Sequence, residues 1–161
     1  MAAKPVPDGF RTVTPHLAMK NSREAIAFYK KAFGAEEVMV MPGPDGQSVM
    51  HAEIKIGDSI VMLHDEWPAP DAPQAPSSLK GTTVSVHLYV NDCDKVFNQA
   101  VQAGATVVNP PMDMFWGDRF GKVSDPFGHQ WSIATHTKDV TPEECQQASE
   151  AFFKSMGEHC K

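Results

Sequence analysis

The chain carries one sequence pattern twice, and this repeat restricts its possible folds more than any other feature. A strand-like run containing His16, a polar break and a helical stripe ending at Gly34 recur in the second half, where His87 and Gly104 take the matching positions. The two copies lie about 70 residues apart, which is longer than most solenoid repeats. A pattern present only twice indicates two copies of one supersecondary module packed against each other. We therefore expect a functional cleft between the two halves.

Length and charge favour one domain and exclude several classes of partner. The chain has 161 residues, of which 42% are hydrophobic, and a formal charge of −6. This length supplies one core but is too short for two independent domains, so we predict a single domain over residues 1–161. The acidic balance argues against a nucleic acid or an anionic membrane as the main partner.

The N-terminal sequence and the cysteines indicate a cytoplasmic location. The N-terminus contains no apolar signal-like run, and no segment approaches the roughly 20 apolar residues of a membrane span. Cys93, Cys145 and Cys160 form no CxxC pair, and their odd number suits a reducing compartment better than a disulfide framework.

The predicted elements follow the same order in both halves. A strand, a helix and three further strands occupy about residues 10–64, and the same series returns over about residues 83–136. Residues 65–81 are rich in proline and are predicted to form an extended connector, and a final helix is predicted over about residues 141–157. The sequence thus predicts an α+β fold in which two βαβββ modules form a curled mixed sheet, with an extra C-terminal helix.

Helix-end signals support this assignment. Asn21 is a capping residue for the first helix, and Gly34 and Gly104 are stop signals for the two module helices. Thr141 caps the last helix, and Glu144 completes a capping box. The apolar face of this helix consists of Cys145, Ala148, Phe152 and Met156. We expect this face to pack on the sheet or on a partner subunit.

Four short motifs carry a resemblance to a known family. They occupy residues 14–17, 50–54, 114–119 and 125–131. Their order and spacing, over about residues 10–140, resemble the vicinal oxygen chelate superfamily and, within it, the PhnB-like branch. That superfamily includes glyoxalase I, bleomycin resistance proteins, fosfomycin resistance enzymes and extradiol dioxygenases. The resemblance implies paired modules around a cleft for a small-molecule ligand, and a homodimer.

The resemblance also implies where a metal ion would be held. Metal-using members bind a divalent ion through inward-facing His and Glu side chains. At the matching positions this sequence has Thr14, Met62, Ser85 and Ser132. Because hydroxyls and a thioether are poor ligands for such an ion, we expect no metal cofactor and a cleft that binds a small organic molecule.

A displaced metal site is the alternative. His16, His64 and His87 each lie two residues after one of those positions, which keeps them on the same strand face. Three nitrogens and an open position would suit a catalytic Zn, Ni, Mn or Fe ion, and the protein would then be a lyase, isomerase or dioxygenase. The other interpretations of these histidines are contacts with an organic ligand and ordinary packing.

Further candidates come from aromatic and charged residues. Trp116 and Arg119 lie in a glycine-flanked segment that could bend around a ligand, and Trp67 is the large apolar residue of the connector. Glu53 is a candidate general base, although an exposed carboxylate paired with Lys55 or Arg119 explains it as well. The predicted ligand-binding residues are therefore His16, His64, His87, Trp116, Arg119 and Trp67.

Overall fold

The computed structural model describes residues 3–159, without the side chains of residues 153 and 155–159. Module one contains β1 (His16–Met19), α1 (Ser22–Phe33), β2 (Glu36–Pro42), β3 (Val49–Ile56) and β4 (Ser59–Asp65). A short helix, α2 (Pro76–Leu79), interrupts the connector. Module two contains β5 (Ser85–Tyr89), α3 (Cys93–Ala103), β6 (Thr106–Asp113), β7 (Asp118–Ser124) and β8 (Gln130–His136), and α4 (Pro142–His159) follows. Cys160 and the Met156 side chain lie outside this description.

The strands form two four-stranded mixed sheets with the same internal order. Sheet A has the order β1-β4-β3-β2 and sheet B the order β5-β8-β7-β6. The β1–β4 pair of sheet A and the β5–β8 pair of sheet B are parallel, and all other neighbouring strands are antiparallel. The α+β fold of two βαβββ modules is thereby confirmed, and neither sheet closes on itself.

The helix ends follow the predicted capping chemistry. The Asn21 side chain accepts a hydrogen bond from the Glu24 N–H, and Asp92 caps α3 in the same way. Gly34 and Gly104 end the two helices with φ of +66° and +118°, a left-handed conformation that favours glycine.

The two modules share one core. Buried apolar residues from both halves form a single cluster, and α1 packs against α3. Rings from both modules meet there, since the Trp131 ring lies 4.8 Å from Phe33 and 5.1 Å from Tyr29 between centroids. The Gln99 side-chain amide donates to the Lys31 carbonyl oxygen at 2.8 Å and adds a polar link between the helices.

Asp125 is a buried polar link between the modules. Its Oδ2 accepts hydrogen bonds from the Tyr29 hydroxyl at 2.6 Å and the Trp131 indole N–H at 2.9 Å. Its Oδ1 accepts from the backbone N–H groups of Phe127 and His129, both at 2.9 Å. Desolvation and the Asp125 charge raise the pKa of Tyr29 well above its ordinary value, so the phenol stays a donor.

The C-terminal helix packs beside the segment after β6. The predicted capping box is confirmed, because the Thr141 N–H donates to Glu144 Oε2 at 2.9 Å and the Glu144 N–H donates to Thr141 Oγ1 at 3.2 Å. The Phe152 ring lies 5.4 Å from the Phe115 ring. The Gly117 carbonyl oxygen accepts from the N–H groups of Thr137 and Lys138, which anchors the residues before α4.

Two element boundaries differ from the prediction. The first strand begins at His16 rather than near residue 10, and Pro15 just before it has no N–H for a strand ladder. The connector is not wholly extended, because Pro76 begins the helical turn of α2 at the position that suits proline. Within the described chain, no helix is both long and apolar enough to cross a membrane.

Candidate functional site

A cavity lies between the two modules, against the outer strands β1 and β5. Its volume is about 850 Å³, within the range of small-molecule pockets. His16 of β1 and His87 of β5 occupy equivalent positions in the repeat, and both line it. The other wall residues are mostly apolar or carry hydroxyls, and they include Leu17, Ala18, Val84, Ser85, Val86 and His129.

The connector forms part of the cavity wall. Residues of α2 and residues 81–84 line it. Glu66 holds this wall, since its carboxylate accepts hydrogen bonds from the Ala75 N–H and the Ser78 hydroxyl, both at 2.9 Å. These bonds lower the pKa of Glu66 and keep it an acceptor. The segment predicted as a plain linker is therefore a structured part of the site.

Three histidines and a carboxylate lie together on sheet A. His16 Nε2 and His64 Nδ1 are 2.9 Å apart, so one ring donates to the other. The His51 ring lies 5.7 Å from His16 between centroids, and its Nε2 is 3.3 Å from Glu53 Oε1. Burial is the main reason why the pKa values of His16 and His64 are lowered. Both rings are thus mainly neutral at neutral pH.

The partner predicted for Glu53 is wrong. Its carboxylate is partly buried and contacts His51, whereas Arg119 pairs with Asp94 and Asp113. Strand alternation places both His51 and Lys55, each two residues from Glu53, on the same face. Lys55 is exposed, whereas His51 and Glu53 are both partly buried, which favours the contact between them.

His87 lies on β5 of sheet B, whereas His16 and His64 lie on β1 and β4 of sheet A. Its ring centroid is 4.7 Å from that of Tyr89 and 6.2 Å from that of Phe120. Burial lowers the pKa of His87, and the charge of Asp118 opposes this effect only in part. The structure therefore pairs His16 with His64 and places His87 on the β5 wall of the cavity.

His129 also lines the cavity, although no sequence pattern assigned it there. Its Nε2–H donates to the Ala18 carbonyl oxygen at 3.1 Å. Because a carbonyl oxygen only accepts, this bond fixes the tautomer of the ring. His129 joins the turn before β8 to β1, so it links the two modules at the cavity. The sequence feature that could have indicated this position is the motif at residues 125–131, but we interpreted that motif only as a hairpin.

The positions that the family resemblance implies for a metal ion make other contacts. The Ser85 and Ser132 hydroxyls lie 3.0 Å apart and share a hydrogen bond, and the Thr14 hydroxyl donates to the Arg11 carbonyl oxygen at 3.0 Å. Met62 pairs with His16 in the β1–β4 register and offers only a thioether. These groups do not fit a divalent cation that prefers imidazole and carboxylate ligands.

The displaced triad is not assembled either. His16 and His64 are in contact, but His87 is on the other sheet. Among the residues with described side chains, no three or more of the types His, Cys, Asp and Glu are placed to hold a metal ion.

Trp116 and Arg119 lie outside this cavity. The Trp116 indole N–H donates to Asp118 Oδ2 at 3.0 Å, and its ring packs against Phe120. The Arg119 guanidinium donates twice to Asp94 at 2.8 Å and once to Asp113 at 3.4 Å, which joins β7 to α3 and β6. A ligand-binding role for either residue stays a prediction.

Trp67 lines neither the cavity between β1 and β5 nor the region of Trp116 and Arg119. It lines a cavity of about 260 Å³ with residues of the connector, and its ring approaches Gly43 in the β2–β3 turn. Its predicted contact with a ligand also stays a prediction.

Asp118 explains why a large ring is placed in the glycine-flanked segment. This carboxylate is 3% exposed and accepts hydrogen bonds from the Tyr89 hydroxyl, the Trp116 indole and His136 Nδ1. The hydrogen bonds that Asp118 and Asp139 accept raise the pKa of His136, in contrast to the lowered pKa values of His16 and His87. A polar network thus orders this end of sheet B.

Comparisons with known proteins agree with the fold. A family model of the Glyoxalase/Bleomycin resistance protein/Dioxygenase superfamily matches residues 11–133. A protein of Mycobacterium bovis is 45% identical over 138 residues, which cover 84% of this chain and 90% of the relative. The crystal structure of TioX from Micromonospora sp. ML1 has a TM-score of 0.62 and 27% identity, over 78% of this chain and 98% of TioX.

A PhnB protein from Bacillus cereus shares the fold, with a TM-score of 0.60 and 18% identity over 78% of this chain and 99% of its own. The family model spans most of the chain and both modules. This chain belongs to the glyoxalase/bleomycin resistance protein/dioxygenase superfamily.

Proposed function

We propose that this protein binds a small organic molecule in the cavity between β1 and β5, without a metal ion, as a PhnB-like member of its superfamily. The observation that carries the proposal is the cavity itself, about 850 Å³ in volume and lined by the repeat-equivalent His16 and His87. Small-molecule sites in proteins are mostly apolar pockets of this size with a few polar groups that orient the ligand. The mixture of aliphatic side chains and imidazoles here has that character.

Independence from metal is supported by the donor groups. The Ser85–Ser132 hydrogen bond and the Thr14 contact occupy the hydroxyls at the positions that hold metal in related enzymes. The alternative function, a metal-dependent lyase, isomerase or dioxygenase, would need three converging ligands, and the described side chains include no such group of His, Cys, Asp and Glu. We therefore favour binding, with orientation by neutral imidazoles, over metal-assisted catalysis.

A dye titration of chelator-treated protein tests this function. We expect phenylnaphthylamine, an uncharged fluorescent dye, to bind saturably to a single class of sites. Val84→Trp should lower its affinity at least about tenfold, because Val84 lines the cavity and an indole would fill part of it. Val6→Trp is the matched control, since Val6 is similarly exposed and does not line the cavity.

Three outcomes would contradict the proposal. They are the absence of saturable binding, equal affinity in the two tryptophan variants, and binding that appears only after Zn, Ni, Mn or Fe is added. A metal requirement would instead favour the enzyme function.

The proposal includes a homodimer. Exposed apolar side chains lie on β2 and β6, the edge strands opposite β1 and β5. A second copy of the chain would remove these side chains from water. They are Val38, Met39 and Met41 on β2, and Val107, Val108 and Met112 on β6. Sedimentation at micromolar concentration should give twice the mass of the chain, and a stable monomer would contradict this part.

A cytoplasmic location is part of the same proposal. The support is the cysteine pattern, because Cys93 is buried, Cys145 is partly buried, and both are free thiols. Free thiols suit a reducing compartment.

A further inference from the structure

The cavity wall lacks charge. Of the wall residues that the structure describes, none is Asp, Glu, Lys or Arg, although such residues make up 21% of the chain. Lys80 comes between two wall residues in the sequence, but it does not line the cavity. A charged ligand would therefore lose its hydration on entering and meet no counter-charge on the wall.

The wall histidines His16 and His87 do not supply that charge at neutral pH. Burial lowers the pKa values of His16 and His87, so both rings are mainly neutral. His129 is held by its hydrogen bond to the Ala18 carbonyl oxygen. Neutral imidazoles donate and accept hydrogen bonds, and the Ser85 and Thr83 hydroxyls on the same wall do so as well.

The energetic consequence is selection against ions. Moving an unpaired ion from water into a partly dry, uncharged site costs several kcal/mol, whereas a neutral polar group loses far less when it finds a hydrogen-bond partner. The wall offers apolar surface from Leu17, Val84 and Val86, and hydrogen-bonding groups from the imidazoles.

Resting on the proposed function, we infer that the ligand of this cavity is an uncharged, mainly apolar organic molecule with hydrogen-bonding groups that meet the imidazoles of His16, His87 and His129. This class excludes carboxylates, phosphates and sulfonates. It also excludes chelating anions, because no Lys or Arg side chain on the wall pairs with them.

Two dyes with the same ring skeleton test the inference. Phenylnaphthylamine is uncharged, and anilinonaphthalenesulfonate adds one sulfonate. At neutral pH we expect the uncharged dye to bind at least about tenfold more tightly, because the sulfonate loses hydration without a partner. Displacement of one dye by the other should show that they share a site.

A lysine variant supplies the missing charge. Thr83→Lys places an ammonium group on the wall, and it should raise the affinity for the sulfonate dye at least about tenfold while changing the uncharged dye little. Thr106→Lys is the matched control, because Thr106 is also exposed but lies on β6 outside the cavity. The control should leave the ratio of the two affinities unchanged.

The outcomes separate this inference from the proposed function. Wild-type protein that binds the sulfonate dye as tightly as the uncharged dye overturns the inference and leaves small-molecule binding intact. A Thr83→Lys effect no larger than that of Thr106→Lys also overturns it. Failure of both dyes to bind contradicts the proposed function itself.

Discussion

Replacing Asp125 with alanine is expected to lower the free energy of unfolding by about 3 to 5 kcal/mol. The reason is that buried hydrogen-bond donors from both modules would lose their acceptor. The carboxylate accepts hydrogen bonds from the Tyr29 hydroxyl, the Trp131 indole and two backbone N–H groups, and it is only 4% exposed. Alanine would leave all four donors in a region with little water. Urea unfolding, read from the shift in midpoint at constant slope, measures the loss.

Two further variants make this experiment specific. Tyr29→Phe removes one donor and keeps the ring, so we expect a smaller loss of about 1 to 2 kcal/mol. Asp71→Ala removes an exposed aspartate of the connector and should change stability by no more than about 0.5 kcal/mol. A loss below about 1 kcal/mol for Asp125→Ala would show that this carboxylate does not join the modules.

Replacing Gly117 with alanine is expected to cost about 2 to 4 kcal/mol and to release the segment before α4. Gly117 has φ of +95°, and an added Cβ would overlap the Lys138 carbonyl oxygen and lie 3.0 Å from Val140 Cγ2. The Gly117 carbonyl also accepts hydrogen bonds from residues 137 and 138, so moving one partner breaks these bonds. Urea unfolding and amide exchange of Thr137 and Lys138 measure the two effects.

Gly46→Ala is the matched control for this variant. Gly46 has a similar left-handed φ of +70°, but an added Cβ there meets nothing within 4 Å. It should therefore cost only the backbone strain, about 1 kcal/mol. Equal losses in the two variants, with unchanged exchange at Thr137, would contradict the close approach of these segments.

The fold was predictable because its determinants are local or periodic. The repeat of His16 and Gly34 as His87 and Gly104 indicates two modules, and the capping residues set the helix ends. Alternation also predicts strand faces, since Ala52 and Ile54 of β3 are buried while Glu53 between them is only partly buried. None of these features requires knowledge of which distant residues meet.

The site was less predictable because its wall depends on tertiary contacts. The proline-rich connector gave no sign that Glu66 would accept two hydrogen bonds near α2 and fix it beside the cavity. Arg119 is of a residue type that often binds ligands. Whether its guanidinium contacts a ligand or Asp94 depends on how β7 packs against α3. His129 bonds to Ala18, more than a hundred residues away, and no local pattern indicates such a pair.

The clearest test of binding between β1 and β5 is nuclear magnetic resonance of the imidazoles during titration of chelator-treated protein with phenylnaphthylamine. We expect the His16 and His87 resonances to shift saturably, because both rings line the cavity, and the His136 resonances to stay unchanged beside Asp118. Shifts at His136 and the Trp116 indole, with none at His16 or His87, would place the ligand elsewhere and contradict the proposed site.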